Sequence, residues 1–126
     1  MNENETMKIV YEAAIEVHRV LGGPGLLESV YEEALVHELK LRGCKVDRQK
    51  AVPITYKGVV LGDPLRLDVL VNDCVIVECK ALSQYNTIFE VQLLTYLRLT
   101  GRKLGAVINF GEQYVSKGFH RVANGL

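Results

Sequence analysis

Two carboxylates and one amine interrupt the most apolar part of this sequence. Asp68, Glu78 and Lys80 lie in two runs of Leu, Val, Ile and Cys that are separated by an Asn-Asp turn signal. Apolar runs split by such a turn predict an antiparallel β-hairpin. An unpaired charge buried in a hairpin would destabilise the fold by several kcal/mol. We therefore expect something to compensate these three charges.

The register of this hairpin decides whether the charges meet. A two-residue loop would mix charged and apolar side chains on both faces. A three-residue loop, or a bulge, would set Asp68 opposite Glu78 and Leu70 opposite Ile76. We predict this second register because it leaves the charged side chains together and makes the other face purely apolar. That apolar face would comprise Leu67, Val69, Val71, Val75, Val77 and Cys79.

Two neighbouring carboxylates suggest a cation site. They repel each other, which raises a pKa unless a cation lies between them. Carboxylate oxygens suit Mg2+ or Mn2+, which needs one or two protein carboxylates and takes its other ligands from water and phosphate. Lys80 projects from the same face as Glu78 and could orient an attacking water or stabilise charge on phosphorus. A surface salt bridge between Glu78 and Lys80 on an exposed hairpin face is the competing interpretation.

The length and composition predict one compact domain over residues 1–126. The chain is 48% hydrophobic, which is sufficient for a core. It contains no apolar run long enough to cross a membrane. Its polar, acidic start differs from a signal or transit peptide. We therefore predict a cytoplasmic protein without a membrane partner.

The cysteines and the net charge argue against several kinds of site. Cys44, Cys74 and Cys79 are odd in number and lack Cys-x-x-Cys spacing, so no disulfide framework, zinc site or iron–sulfur site is predicted. A net charge of zero argues against a protein that coats nucleic acid. Acidic residues crowd the first 40 positions and basic residues follow, which permits a local basic groove.

The apolar periodicity predicts helices and strands in a definite order. Helices are predicted over about residues 5–21, 26–41 and 88–100, with Gly43 and Gly101 as C-terminal caps. The third helix is apolar over much of its circumference, so we expect it to be well buried. Strands are predicted within 46–56, 59–61, 65–71, 75–80 and 104–110, with an edge strand within 115–122. The strand–helix–strand passage over 75–110 predicts a right-handed parallel crossover.

Three motifs, in this order, resemble a known nuclease superfamily. Residues 25–31, Gly-Leu-Leu-Glu-Ser-Val-Tyr, match the Gly-x-x-Glu-x-x-Tyr signature of a group of small bacterial proteins. Asp68 with Glu78-Cys79-Lys80 resembles the metal-binding core of the PD-(D/E)XK nuclease superfamily, to which that group is assigned. Residues 92–96, Gln-Leu-Leu-Thr-Tyr, resemble the Gln-x-x-x-Tyr motif of its RecB-like branch. The likeness covers nearly the whole chain.

The resemblance implies an α/β fold of the PD-(D/E)XK, restriction-endonuclease-like type. This fold has a central mixed β-sheet flanked by helices. The elements of this chain would then follow the order α-α-β-β-β-α-β, with a further strand at the end.

The resemblance also implies a role for each residue of the metal-binding motifs. Asp68 and Glu78 would bind the metal together with the backbone carbonyl of Cys79, and Lys80 would assist the water. Glu28 would complete the metal ligands or hold a metal-bound water. Its alternative role is simpler, because a carboxylate in the first turn of a helix is favoured by the helix dipole.

Four further residues are implied to lie near the metal or the nucleic acid. Gln92 and Tyr96 are one helical turn apart and so share a face. They would contact the DNA backbone or the groups around the metal, unless they are a buried pair that satisfies its own hydrogen bonds. Arg66 would pair with a phosphate through two hydrogen bonds. Tyr31 would either join this site or pack in the core.

The sequence departs from the superfamily pattern at three places. Leu67 stands where the superfamily's name has Pro, and Gly22-Gly23 adds a glycine before the usual Gly-Pro-Gly approach to Glu28. The four cysteines of cluster-bearing RecB-like relatives are missing, so no iron–sulfur cluster is inferred.

The implied function is a nuclease that uses Mg2+ or Mn2+ and hydrolyses nucleic acid, with DNA as the first candidate. Two alternatives stay open. The fold could act as a module that binds nucleic acid or a protein partner with negligible turnover, or it could hydrolyse another phosphoryl substrate. Relatives that cut alone generally need an added DNA-binding surface or a second subunit, so a homodimer is also open.

Overall fold

A computed structural model describes residues 1–126 and places a five-stranded mixed sheet at the centre of the chain. The helices are α1 (Glu3–Val20), α2 (Glu28–Leu41), α3 (Ile88–Thr100) and α4 (Val115–Gly118). The strands are β1 (Val46–Val52), β2 (Thr55–Tyr56), β3 (Val59–Val60), β4 (Leu65–Val71), β5 (Val75–Lys80), β6 (Leu104–Asn109) and β7 (Phe119–Ala123). The main sheet has the order β1-β4-β5-β6-β7, and β2 pairs only with β3. The predicted α/β fold with a mixed central sheet is confirmed.

The central hairpin has the predicted register. Leu70 pairs with Ile76, and Val71 pairs with Val75. Asn72 and Asp73 in the connecting turn both have positive φ values, 52° and 57°, a conformation that Asn and Asp tolerate better than most residues. The regular pairing of β4 with β5 ends at Val69 and Val77, so Asp68 and Glu78 face each other just beyond it.

The crossover between β5 and β6 is parallel, as predicted. Six successive residue pairs join these strands, from Val75 with Leu104 to Lys80 with Asn109. Helix α3 makes the connection and ends where the sequence pattern predicted, because Gly101 adopts the left-handed conformation of a helix cap, with φ 67°. This crossover brings the C-terminal ends of β5 and β6 to one edge of the sheet.

Helices cover both faces of the sheet and bury two apolar clusters. The larger cluster joins α1 and α2 to one face, and the smaller joins Leu93 and Leu97 of α3 to the other. Each fully buried Leu, Ile or Val contributes about 1.5–3 kcal/mol relative to an exposed one. The hairpin that carries the charged residues is therefore held between two packed layers, so its geometry is determined by the core.

The prediction that α3 is well buried is wrong. Only Leu93 and Leu97 of α3 are buried, whereas Ile88, Val91 and Leu99 are 55%, 59% and 52% exposed. The helix packs against the sheet on one side only, so its apolar outer face meets no second layer. The edge strand predicted within 115–122 is confirmed as β7, although it starts later than predicted because the short helix α4 occupies the first part of that segment. No helix has both the length and the apolar character of a membrane span.

The strict alternation predicted for β4 breaks at Asp68. Val69 packs in the larger cluster, as predicted, but Leu67 packs in the smaller cluster with Leu65 and Leu70. At this level of the neighbouring strand, Gln49 has a φ of 53° and forms no pair in the β1–β4 ladder. The break in the alternation of β4 thus coincides with an irregular position of β1. Leu67 therefore belongs to the opposite face from the one predicted.

Candidate functional site

The two hairpin carboxylates are each bonded to the main chain of the opposite strand. The N–H of Asp68 donates to Oε2 of Glu78 at 2.9 Å. The N–H of Cys79 donates to Oδ2 of Asp68 at 3.0 Å. Both bonds lie just beyond Val69 and Val77, the last regular pair of β4 and β5. Because each carboxylate is held by a main-chain donor, both side chains have a defined orientation.

Burial shifts both carboxyl groups toward their neutral forms. Glu78 is only 6% exposed. Burial and, next, the charge of Asp68 raise the pKa of the Glu78 carboxyl to about 8. Burial also raises the pKa of the Asp68 carboxyl, although the N–H of Cys79 opposes this shift. The pair therefore lacks a counter-charge strong enough to compensate it, which is the situation expected of a cation site.

Lys80 does not neutralise the pair through a salt bridge. No salt bridge of the protein includes Lys80, and its Nζ lies 4.4 Å from the centroid of the Phe89 ring. Its charge still lowers the pKa of the Asp68 and Glu78 carboxyls. The alternative of an exposed hairpin face with a Glu78–Lys80 surface salt bridge is therefore wrong. The half-exposed amine remains free to contact a ligand.

The main chain of Cys79 faces the acid pair, while its side chain is fully buried in the larger cluster. Backbone N–H and C=O groups of one strand residue point to the same side of the strand. Since the N–H of Cys79 points at Asp68, its carbonyl also points toward β4. No residue of β4 pairs with Cys79 in the ladder. This geometry agrees with the carbonyl oxygen that the resemblance implies as a metal ligand.

The Gly-x-x-Glu-x-x-Tyr motif forms a local structural unit at the start of α2. The Tyr31 hydroxyl donates to the carbonyl of Gly23 at 2.7 Å and accepts from the N–H of Leu26 at 3.2 Å. Its ring is fully buried and stacks on Phe110, with centroids 4.9 Å apart. Tyr31 therefore holds the glycine-rich loop that leads to Glu28. A contact of Tyr31 with nucleic acid is ruled out, because the side chain has no exposed surface.

Glu28 is the first residue of α2 and lies at the surface on the side of the acid pair. Partial burial raises the pKa of its carboxyl, Lys80 lowers it, and Asp68 raises it again. Charge interactions thus connect Glu28 to the hairpin residues. No group of three or more His, Cys, Asp or Glu side chains is close enough to hold a metal ion. The structure brings Asp68 and Glu78 together, and the metal role of Glu28 stays a prediction.

The donor set fits Mg2+ or Mn2+. It offers two adjacent carboxylates and a main-chain carbonyl, all of them hard oxygen donors. Oε1 of Glu78 accepts no hydrogen bond from the protein, since only Oε2 is bonded. These ions need few protein carboxylates and keep several waters. A ligand set smaller than three acidic side chains is therefore compatible with them.

Sequence reasoning missed Glu32, Arg48 and Gln49. Glu32 is 4% exposed and pairs with Arg48 at 2.7 Å. Nε2 of Gln49 lies 3.1 Å from both oxygens of Glu32 and 3.4 Å from Oδ1 of Asp68. Gln49 thus connects helix α2 to the acid pair, and its positive φ turns it there. The available signal was the spacing of Glu28 and Glu32, which lie one helical turn apart on α2.

The residues predicted to contact nucleic acid differ in their surroundings. Gln92 is exposed and Tyr96 is half-buried, so they are not a buried pair. Burial and the charges of Glu78 and Asp68 raise the pKa of the Tyr96 hydroxyl. Tyr96 on α3 therefore lies close enough to the acid pair to respond to its charge. Arg66 is exposed and donates to the carbonyl of Gln49 at 3.0 Å.

A groove of about 440 Å³ lies between the glycine-rich loop and the segment that follows Lys80. Asn109, fully buried, accepts from the N–H of Leu82 at 2.8 Å and donates to its carbonyl at 3.1 Å. This amide therefore fixes the chain just after Lys80, as Tyr31 fixes the chain before Glu28. The groove is lined by Pro24, Gly25, Leu26, Ala81, Leu82, Ser83 and Gly111.

Comparison with known proteins identifies the family of this chain. A family model described as the PD-(D/E)XK nuclease superfamily matches residues 4–122. No curated protein and no solved structure gives a match. The match covers most of the chain, including every residue of the acid pair and the helices around it. The chain therefore belongs to the PD-(D/E)XK nuclease superfamily.

Proposed function

We propose that this protein is a nuclease that uses Mg2+ or Mn2+ and hydrolyses phosphodiester bonds in nucleic acid. We further propose that this nucleic acid is DNA. One observation supports this proposal above the others. Asp68 and Glu78 are held side by side by main-chain donors, and Lys80 follows Glu78 on the same strand. A divalent cation is the counter-charge that two such carboxylates favour.

Each residue of the site then has a separate task. Asp68, Glu78 and the Cys79 carbonyl would hold the cation, and Glu28 would hold a water bound to it. A bound divalent cation polarises a phosphoryl oxygen and lowers the pKa of a coordinated water. The Lys80 amine would donate to phosphate oxygens, where negative charge develops during attack.

The residues around the acids would orient them and the substrate. Glu32 would hold Gln49, whose amide reaches Asp68. Gln92 and Tyr96 would contact the nucleic-acid backbone from α3, and Arg66 would contact a phosphate. We further propose that the motifs at residues 25–31 and 92–96 place the chain in the GxxExxY group and the RecB-like branch. Cytoplasmic location and a homodimer complete this proposal.

Cleavage assays with matched variants test the proposed activity. Purified protein would be incubated with linear, circular, single-stranded and branched DNA, with Mn2+, with Mg2+ and with chelator. We expect metal-dependent products from the unmodified protein and none from Asp68→Ala or Lys80→Ala. Lys103→Ala is the control, because Lys103 is exposed and precedes β6 at the opposite end of the sheet. Cleavage that survives in both purified active-site variants would reject the assignment.

Metal binding can be measured without turnover. A cation bound only to the folded chain raises the melting temperature as its concentration rises. We expect Mn2+ to raise the melting temperature of the unmodified protein and of Lys80→Ala, since Lys80 is not a ligand. Asp68→Asn should lose this response. An unchanged response in Asp68→Asn would place the cation elsewhere.

A second candidate is a nuclease fold that binds nucleic acid with negligible turnover. The absence of a third acidic side chain beside Asp68 and Glu78 favours this candidate, as does the net charge of zero. It predicts DNA binding that weakens with salt, with no products under any divalent metal. The cleavage assay above, run beside a binding assay on the same DNA, separates the two.

A further inference from the structure

The hairpin formed by β2 and β3 projects from the main sheet and is almost entirely exposed. We call residues 53–64, which contain this hairpin, the arm. Tyr56, Val59, Val60 and Leu61 are 61%, 62%, 65% and 44% exposed. A two-stranded hairpin is marginally stable on its own in water, and an exposed apolar group of this kind often marks a binding surface. The arm therefore has apolar surface that the fold does not use.

The tip of the arm joins an aromatic ring to a lysine. Nζ of Lys57 lies 5.4 Å from the centroid of the Tyr56 ring. Lys57 and Gly58 both have positive φ values, 48° and 84°, as in the tight turns of two-residue hairpins. Lysine is not among the residues that favour this conformation. The turn nevertheless places the Lys57 side chain at the tip of the arm, next to the exposed Tyr56 ring.

The basic side chains of this region form no salt bridges with acidic residues. Neither Lys57 nor Arg66, which follows the arm in β4, belongs to any of the protein's salt bridges. Asp63 is the acidic residue of the arm, so the arm and Arg66 together carry a net positive charge of one unit. Unpaired cations beside an exposed aromatic ring match a phosphate backbone with accessible bases.

The arm lies at the same end of the sheet as the acid pair. It leaves β1 after Val52 and enters β4 at Leu65, and these two residues pair with each other. Asp68 follows Leu65 by three residues, which is about 10 Å along a strand. Because β4 and β5 are antiparallel, Lys80 at the end of β5 lies at this same end. A strand bound in the site could therefore extend onto the arm.

We propose that the arm binds a single-stranded segment of the nucleic acid, with an unpaired base stacked on Tyr56 and phosphates contacted by Lys57 and Arg66. Every base has a flat face that can stack on an aromatic ring, so this contact tolerates any sequence. In a duplex the bases already stack on one another, and Tyr56 gains no such contact. The inference rests on nucleic acid being the substrate in the proposed function.

Binding measured in chelator separates this inference from catalysis. Fluorescence anisotropy of a labelled single strand would be compared with that of its duplex, using the full chain. We expect Tyr56→Ala to weaken single-strand binding about 5- to 150-fold, the range for loss of one stacked base. Tyr56→Phe keeps the ring and should bind almost as well as the unmodified protein. Tyr114→Ala is the matched control, because Tyr114 is also exposed, at 58%, and precedes α4.

The salt dependence tests the phosphate contacts separately. Lys57→Ala and Arg66→Ala should each weaken binding. Each should also make the slope of log affinity against log salt concentration less steep by about one unit or slightly less. Circular dichroism confirms that each variant is folded. Equal effects on single strand and duplex in Tyr56→Ala would overturn the base-stacking proposal.

The remaining outcomes separate the arm from the catalytic proposal. Single-strand binding through Tyr56 without cleavage would support the arm and contradict the nuclease activity. Cleavage without any effect of Tyr56→Ala on binding would support the nuclease and overturn the arm. Self-association that Tyr56→Ala abolishes, measured by light scattering with no single-strand binding, would make the arm a protein interface and also overturn the proposal.

Discussion

The main-chain N–H of Asp68 is hydrogen-bonded to the side chain of Glu78 at 2.9 Å, beyond the point where the ladder between their strands ends. A side chain therefore joins β4 to β5 beyond their regular ladder. This hydrogen bond keeps the buried acid in a fixed position and leaves its other oxygen free for a ligand. It also makes the stability of the hairpin depend on the protonation of Glu78.

Stability without metal should fall as the pH rises through neutrality. The pKa of Glu78 is about 8 in the folded chain, against a usual value of 4.5. Between these values the folded chain binds more protons than the unfolded chain, so its free energy of unfolding decreases with rising pH. We expect a loss on the order of a few kcal/mol between about pH 4.5 and 8, measured by urea unfolding in chelator.

Glu78→Gln should flatten this pH profile, because its amide does not titrate. Glu33→Gln is the control, since Glu33 is an exposed residue of α2, and it should keep the slope of the unmodified protein. A profile that is flat for the unmodified protein would contradict the buried, unpaired state of Glu78.

The Phe89 ring should contribute to the position of Lys80. Cation–π contacts of this kind are worth about 0.5–1 kcal/mol at partly exposed sites. Phe89→Leu should therefore slow cleavage about 2- to 5-fold, whereas Phe89→Tyr should keep nearly full activity. The rise in melting temperature with Mn2+ should be unchanged in both variants, because Phe89 is not a ligand. A lost metal response in Phe89→Leu would mean that the substitution disturbs the whole site.

The Tyr31 hydroxyl should stabilise the loop before Glu28. Tyr31→Phe keeps the stacking on Phe110 but leaves the Gly23 carbonyl and the Leu26 N–H without this partner. We expect a loss of about 1–3 kcal/mol in the free energy of unfolding, measured by urea unfolding. Tyr114→Phe, at an exposed tyrosine, should change stability by less than about 0.5 kcal/mol. Equal stability of the two variants would show that the loop does not depend on Tyr31.

Gly111 should tolerate no side chain. A methyl group there would overlap the carbonyl oxygen of Leu82 and lie 2.6 Å from its nitrogen, in the segment that follows Lys80. We expect Gly111→Ala to destabilise the fold by about 1–3 kcal/mol or more and to reduce cleavage, since the segment after Lys80 must move. Gly62→Ala is the matched control, because nothing lies within 4 Å of a methyl group at Gly62. Thermal unfolding of the two variants compares them directly.

Local patterns in the sequence were sufficient for most of the fold. The spacing of apolar residues and the cap at Gly101 predicted α3, and the pattern of charges in the hairpin predicted its register. These predictions succeeded because helix ends and strand registers depend on residues that are close in sequence. The motif residues Asp68, Glu78 and Lys80 could be named for the same reason.

Only the tertiary structure decided how the site is surrounded. Glu32 and Gln49 meet across 17 sequence positions, and no local pattern marks a contact between separate elements. The outer face of α3 stays exposed because no further layer covers it, which its apolar sequence could not reveal. Leu67 lies on the face opposite to the predicted one because the alternation of β4 breaks at Asp68, beside the irregular residue Gln49 of β1. The sequence alone therefore determined which residues carry the chemistry, whereas packing between distant elements decided which way they point, because side-chain direction depends on neighbours that the chain brings together only on folding.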